Sequence, residues 1–589
     1  MNMDRIKEFR VYSFYFIVLV MLFSLGLLFQ ERAPFEDGSY GNFTLSILED
    51  ADFNIINQIK DPAKNWVSTV TGNHSNYEHP AVSVYLFPFF LYQKILNSLG
   101  IHNHSSLTNG YNEAHILSTI FYVFLGFLFL NKLLTNLDIK HSRSSILVYA
   151  LSTPFIWFTF FSSSTSNIFS LAFSIFVLTW FCFNRNKFSQ FSYFALGIIF
   201  ALSIAIRIQQ FWIGSLLLFL LVEDPERSLR KVLYFIGGAL IPGSFFLTNL
   251  YLRSEQILHP TRVYTAWTSL GEFAEYTLPY ALWGPNGYLT LSPIYALILG
   301  FGSWLLIRKY PLRKFYVFLV VPPTALFLYY SSQWPLMDSF AGRHQLDYFF
   351  LYALILGLGL DAVKGPIRIL TWAAIMLAIL WNVRSHIAFS FVDHTDWTQW
   401  QFYYHVALHH FPRQLTSFLS NMNSLESLYT VLLYLPLLLL LALILLRAAR
   451  IKKDKISLVN WGIILWGVFF FGVFTLMNLV FNPRNVEKYR AQGLYQDKVI
   501  AKGDAMNFYD DFTETYHKAL RWHVEKRNCE AVRRLLEIRA DYIFTIKTEI
   551  IHDPIGFVDD LNNNIFRRSY MEGQDLIKIK QDIKSKCHL

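Results

Sequence analysis

Charge is scarce in this sequence. Of its 589 residues only 16% are Asp, Glu, Lys or Arg, whereas 53% are hydrophobic and 18% aromatic. Mean hydropathy is +0.32. That balance excludes a string of soluble domains and belongs to a polytopic membrane protein. No repeat of fixed period and no low-complexity tract interrupts the chain. The first apolar run has Arg5, Lys7 and Arg10 before it and no small-residue cleavage site behind it, so it is expected to be a retained helix. Cysteine is rarer still, at 3 residues. Cys182 lies in an apolar run, which leaves Cys529 and Cys587 as the one plausible pair, with two free thiols an equal alternative.

What is abundant is the apolar run itself. Stretches of about 20 residues, enough to cross a bilayer, recur from Val11 to Val480. The net charge of +9 says little about nucleic acid, because basic residues also set topology. They cluster at the N-terminus, in 131–143, 184–187, 223–231, 308–314, 364–368 and 447–455. The positive-inside rule places these in the cytoplasm and puts 30–113, 161–167, 207–209, 250–290, 331–345 and 384–426 outside. Ala81–Leu99 is apolar, yet the stretch after it carries no Lys or Arg, so it is expected to lie half-buried in the outer interface instead of crossing.

The expectation is an all-α polytopic membrane protein of about thirteen transmembrane helices. Residues 1–481 form the membrane domain, with interfacial helices in the first outward loop, 30–113. The charged tail, 482–589, reads as a small, mainly helical soluble domain outside the membrane, with the N-terminus inside.

Polar groups gather at the outer ends: Glu36, Asp37, Glu78, His79, Asn167, Arg207, Arg262, Arg343 and His344. Each has a bland explanation. Asp37 and Glu78 can sit at helix N-termini, where acids are favoured, with Pro80 in a first turn. Arg207 and Arg343 can snorkel to headgroups, or hold a phosphate through the guanidinium fork. Together, on one side, they suit a substrate with a polar head and a lipid tail. His405 and His409 have the i, i+4 spacing of a zinc pair, but their aromatic surroundings fit an interfacial helix better. No cofactor is required, and a divalent metal is not demanded by any motif.

The segments "FEDGSYGNFTLSILEDADF", "YEHPAVSVYLFPFF", "FFSSSTSNIFSLAFSIFVLTW", "LWGPNGYLTLSPIYALILG" and "DSFAGRHQLDYFFLYALILGLGL" occur in that order. Over roughly Val11 to Leu380 the chain thereby resembles the GT-C superfamily of membrane glycosyltransferases, which includes lipid A aminoarabinose transferases and protein O-mannosyltransferases. The resemblance implies a polyprenyl-phosphate sugar donor, a glycan, lipid or protein acceptor, a bacterial inner-membrane location and no nucleic-acid partner. Asp37 would be the general base with Glu36 second. Arg207 and Arg343 would stabilise the leaving phosphate, with Glu78, His79, Asn167 and His344 shaping the site. A transporter or flippase of lipid-linked sugars and a non-catalytic envelope assembly protein are the rival classes. Three outward sequons, at Asn42, Asn73 and Asn103, matter only in a cell that glycosylates them.

Overall fold

The computed structural model describes residues 3–29, 40–55, 67–68, 73–74, 80–101, 110–155, 159–160, 167–184, 188–223, 229–254, 288–307, 349–389, 424–451 and 455–491, together with short pieces of the tail. The regular structure there is helical apart from one two-residue antiparallel pairing, Val67–Ser68 with Asn73–His74. In chain order the helices are α1 Met3–Phe29, α2 Tyr40–Asp50, α3 Ser83–Ser98, α4 Tyr111–Asn136, α5 Ser142–Ser152, α6 Asn167–Asn184, α7 Gln190–Ile206, α8 Gly214–Glu223 and α9 Leu229–Ser254. Then come α10 Tyr288–Leu291, α11 Ile294–Ile307, α12 Phe349–Ala362, α13 Gly365–Phe389, α14 Ser424–Leu433, α15 Leu435–Arg450 and α16 Ile456–Ala491.

Six of these contain stretches long and apolar enough to cross a membrane: Phe9–Leu27, Tyr111–Asn136, Asn167–Asn184, Leu229–Leu250, Gly365–Ser385 and Asn460–Lys488. Shorter apolar helices lie at Gln190–Ile206, Gln210–Glu223, Ile294–Leu305 and Phe350–Ala362. α4 and α6 are enclosed at the centre. The outer helices present large apolar side chains outward, among them Phe14 and Met21 on α1, Leu377 and Leu380 on α13, and Leu465 and Phe469 on α16. A greasy exterior of this extent would be an aggregation liability in water and is what lipid requires.

Lipid supplies no hydrophobic drive to bring helices together, so close backbone approach has to serve. α7 and α9 show it. A Cβ on Gly197 would stand 1.9 Å from the carbonyl oxygen of Phe235, and one on Gly238 would stand 1.9 Å from that of Phe194. α4 and α6 pack side by side in the same direction: Tyr122 meets Phe169, Gly126 meets Ala172 and Phe129 meets Phe176. Their first residues therefore share one end of the bundle.

The two ends differ in kind. At one, three of the basic stretches converge. Lys132 Nζ donates to the carbonyls of Ala448 and Ile451, 2.7 Å each. The Asp361 carboxylate accepts from the backbone N–H groups of Lys140 and His141, at 2.8 and 3.1 Å, and pairs with His141 Nδ1. Arg368 reaches the other ring nitrogen of His141 at 2.9 Å. Three of the stretches that charge alone assigns to one side, 131–143, 364–368 and 447–455, share one end.

The apolar stretch Ala81–Leu99 is helical over most of its length, as α3. Pro80 opens a 3₁₀ turn, Pro80–Val82, that leads into the helix. One face is buried, through Val84, Leu86, Phe89, Phe90, Gln93 and Leu96. The other leaves Leu91, Ile95 and Leu99 exposed, an apolar stripe at helical spacing. The Tyr434 hydroxyl donates to Gln93 Oε1 at 2.7 Å and lies 3.1 Å from the carbonyl of Gly110, so the C-terminal half of α3 sits beside the start of α4. Gly110 has φ +84, and a Cβ there would meet the Gln93 amide at 2.3 Å, which leaves glycine as the residue that fits. In α2, the sequon residues Asn42 and Thr44 are both buried, with Asn42 only 1% exposed. α16 runs on past residue 482 to Ala491, and in the tail Cys529 and Cys587 are bonded to each other.

Candidate functional site

Of the residues singled out from the sequence, Glu36, Asp37, Glu78, His79, Arg262, Arg343, His344, His405 and His409 lie outside the described residues. Asn167 and Arg207 are described, and the fold brings them together: an Arg207 guanidinium nitrogen donates to the Asn167 side-chain oxygen. They are 40 residues apart in sequence.

Local structure explains the meeting. α7 ends at Ile206, and Arg207 takes an extended conformation before a 3₁₀ turn, Ile208–Ile213. The break turns the chain back toward the first residue of α6. Along α6, Asn167, Ser170 and Ser174 recur at i, i+3 and i+7, which places them on one face. That stripe receives the turn. Gln210 is fully buried; its Nε2 donates to Ser170 Oγ, and its Oε1 accepts from Ser174 Oγ at 2.5 Å and from Trp212 Nε1 at 3.1 Å. Trp212 is buried in turn, 5.7 Å from the Phe350 ring of α12.

The chemistry of this arrangement is specific. Asn167 is a neutral amide, so it orients the guanidinium without cancelling its charge. Asn167 is fully buried and Arg207 half-buried, which raises the electrostatic reach of the cation above what water would allow. A guanidinium held this way suits an oxyanion such as a phosphate.

No family model matches the chain, and neither a curated protein nor a solved structure matches it. Function has to be argued from the site.

Two further groups at this end escape a reading of the sequence alone. His115 on α4 is fully buried, and among the described residues neither ring nitrogen has a hydrogen-bond partner. Its ring lies edge-on to Phe90 and Phe169, with centroids 6.5 and 6.0 Å away, and Phe169 stands between Asn167 and Ser170 in sequence. The available signal was an ionisable residue inside an apolar span, which is a functional pointer by default.

The second group is Asp52, beyond the end of α2. Asp50-Ala51-Asp52 has Asp-X-Asp spacing, but the Asp52 carboxylate is taken up by protein. Its Oδ1 accepts from Ser46 Oγ at 2.6 Å and from the Asn54 N–H at 2.9 Å, and its Oδ2 from Asn485 Nδ2 at 2.8 Å. Burial pushes this carboxyl up to about 6, against the downward pull of the Ser46, Asn485 and Asn54 hydrogen bonds; nearby Asp50 adds a smaller upward push. Among the described residues no group of three His, Cys, Asp or Glu side chains is placed to hold a metal.

Proposed function

We propose that this protein is a membrane glycosyltransferase that moves a sugar from a polyprenyl-phosphate donor to an acceptor hydroxyl at the outer face, with inversion. The observation that carries the reading is Arg207, held by the buried Asn167 amide at the end of the bundle away from the basic loops. A lipid phosphate whose tail lies in the bilayer would present its anion at that depth. Arg207 binds that phosphate and stabilises it as it leaves. Asp37, three residues ahead of α2, takes the proton of the attacking hydroxyl as the carbon–oxygen bond to the anomeric carbon forms and the bond to phosphate breaks.

The topology proposed with it has about thirteen spans, the basic end in the cytoplasm and the tail outside. The convergence of 131–143, 364–368 and 447–455 at one end supports it, and so does the Cys529–Cys587 bond, since disulfides persist in oxidising compartments. The test is turnover: purified protein in bilayer discs is given polyprenyl-phosphate sugars, and released polyprenyl phosphate is measured. Asp37→Asn should lower the rate roughly 10²–10⁴-fold while the protein stays folded. Absence of turnover across a panel of sugars, with polyprenyl phosphate failing to bind, refutes the reading.

A further inference from the structure

Among the described residues, a second polar construction, outside the Arg207 site, joins two segments far apart in sequence. α2 ends at Asp50, and the next residue, Ala51, has φ +60. A left-handed alanine is strained and persists only where its surroundings hold it. Residues 52–55 then turn inward and are all buried.

The hold comes from three directions. From α2 itself, Ser46 Oγ bridges the Asp52 carboxylate and the carbonyl of Asn54, at 2.6 and 3.0 Å. From α3, Lys94 Nζ donates to the carbonyl of Leu48. From α16, Asn485 Nδ2 is shared between Asp52 Oδ2 and the carbonyl of Asp50, 2.8 Å each, and Asn478 Oδ1 accepts from the Phe53 N–H at 2.9 Å. Residues 478 and 485 are seven apart, two turns along one face, so α16 presents both amides to the loop together. The Phe53 ring closes the assembly edge-on against Phe43 of α2, 6.1 Å away.

We propose that Asp52 is a positioning residue. Its carboxylate clasps the end of α2 to α16 and thereby fixes the pose of α2, the helix that begins three residues after Asp37 in the sequence. An acid suits the task because it can accept from three donors at once, on two oxygens, where an amide has a single accepting oxygen. The catalytic half of the inference rests on the glycosyltransferase reading; the structural half does not.

The experiment uses the full-length protein in bilayer discs with two readouts. Hydrogen exchange over residues 43–55 reports the clasp itself, and sugar turnover reports its effect on catalysis. Asp52→Asn and the milder Asn485→Ala should each speed exchange in that segment about tenfold or more, the loss of one hydrogen bond to a charged group. The value of kcat should fall about tenfold, while KM for the donor stays within about twofold and the melting temperature of the bundle is kept. The exchanged pair, Asp52→Asn with Asn485→Asp, restores an acceptor opposite a donor and should recover part of both losses. Unchanged exchange in both single variants overturns the clasp. Faster exchange with unchanged kcat overturns the positioning role. Faster exchange in both single variants, with a wild-type protein that shows no turnover, leaves the clasp standing and removes the glycosyltransferase reading instead.

Discussion

Replacing Asn167 by Asp exchanges one amide nitrogen for a carboxylate oxygen and leaves the side-chain shape alone. The Arg207 guanidinium would then face a carboxylate in place of an amide oxygen. Two unit charges about 4 Å apart at an effective dielectric near 20 attract by about 4 kcal/mol. Taking the new carboxylate out of water offsets a good part of that, because Asn167 is fully buried. The fold should therefore tolerate the change. The donor should not, since the new acid competes with the phosphate for the same cation. If about half of the attraction survives as lost donor binding, roughly 2 kcal/mol, Kd rises about 30-fold. The assay is titration of a short-chain polyprenyl phosphate into the variant and the wild type, with melting temperatures measured alongside. Asn167→Ala serves as the comparison: it removes the orienting oxygen without adding charge and should weaken binding less. A folded Asn167→Asp protein that binds the donor within about threefold of wild type would refute the assignment of Arg207 to the phosphate.

Three more outcomes are expected. The Asp52 carboxyl binds its proton more tightly folded than unfolded, since its pKa is raised to about 6, so its contribution to stability is present at pH 4 and lost as pH rises through 6. That contribution is at most about 3 kcal/mol. Melting temperature followed from pH 4 to 7.5 should thus be flatter for Asp52→Asn than for wild type, and superimposable curves would refute it. Gly197→Ala forces a methyl against the Phe235 carbonyl and should destabilise the α7–α9 crossing by about 1–3 kcal/mol, whereas Gly243→Ala, with nothing within 4 Å, should be nearly silent in the same thermal melt. Thiol labelling of denatured, unreduced protein should modify Cys182 alone; after reduction all 3 cysteines should react, and loss of the bond costs the tail about 4 kcal/mol on the chain-entropy estimate.

Much of this architecture could be read in advance because membrane spans announce themselves locally. Apolar length predicts helices such as α4 and α6, and the basic stretches predict which loops keep company, as Lys132 does with Ala448 and Ile451. That α3 is a helix was legible from its apolar run. The Asn167–Arg207 pair was legible as two polar residues on one side, but not as a contact. Ser170 and Ser174 follow helical spacing from Asn167, though serine in a span is too common to stand out unaided, and their contact with Gln210 had no such signal. The Asp52–Asn485 bond had no local signal at all. Its partners are 433 residues apart, and the register that aligns them depends on how α16 packs against α2 and α3. Long-range polar contacts are set by packing, and packing is the part of the code that periodicity does not carry.

The burial of α2 bears on how the protein behaves inside a eukaryotic secretory pathway. Asn42-Phe43-Thr44 is a legal acceptor for N-glycosylation, but its asparagine is 1% exposed and sits on a helix packed against α3. An oligosaccharide is far too large and too polar to share that space. The modifying enzyme would reach Asn42 only while the nascent loop is still open, and a chain that acquired the glycan could not then close α2 onto its seat. If the proposed topology holds and Asn42 faces the lumen, a glycosylated band at Asn42 in such a host would count the molecules that failed to fold.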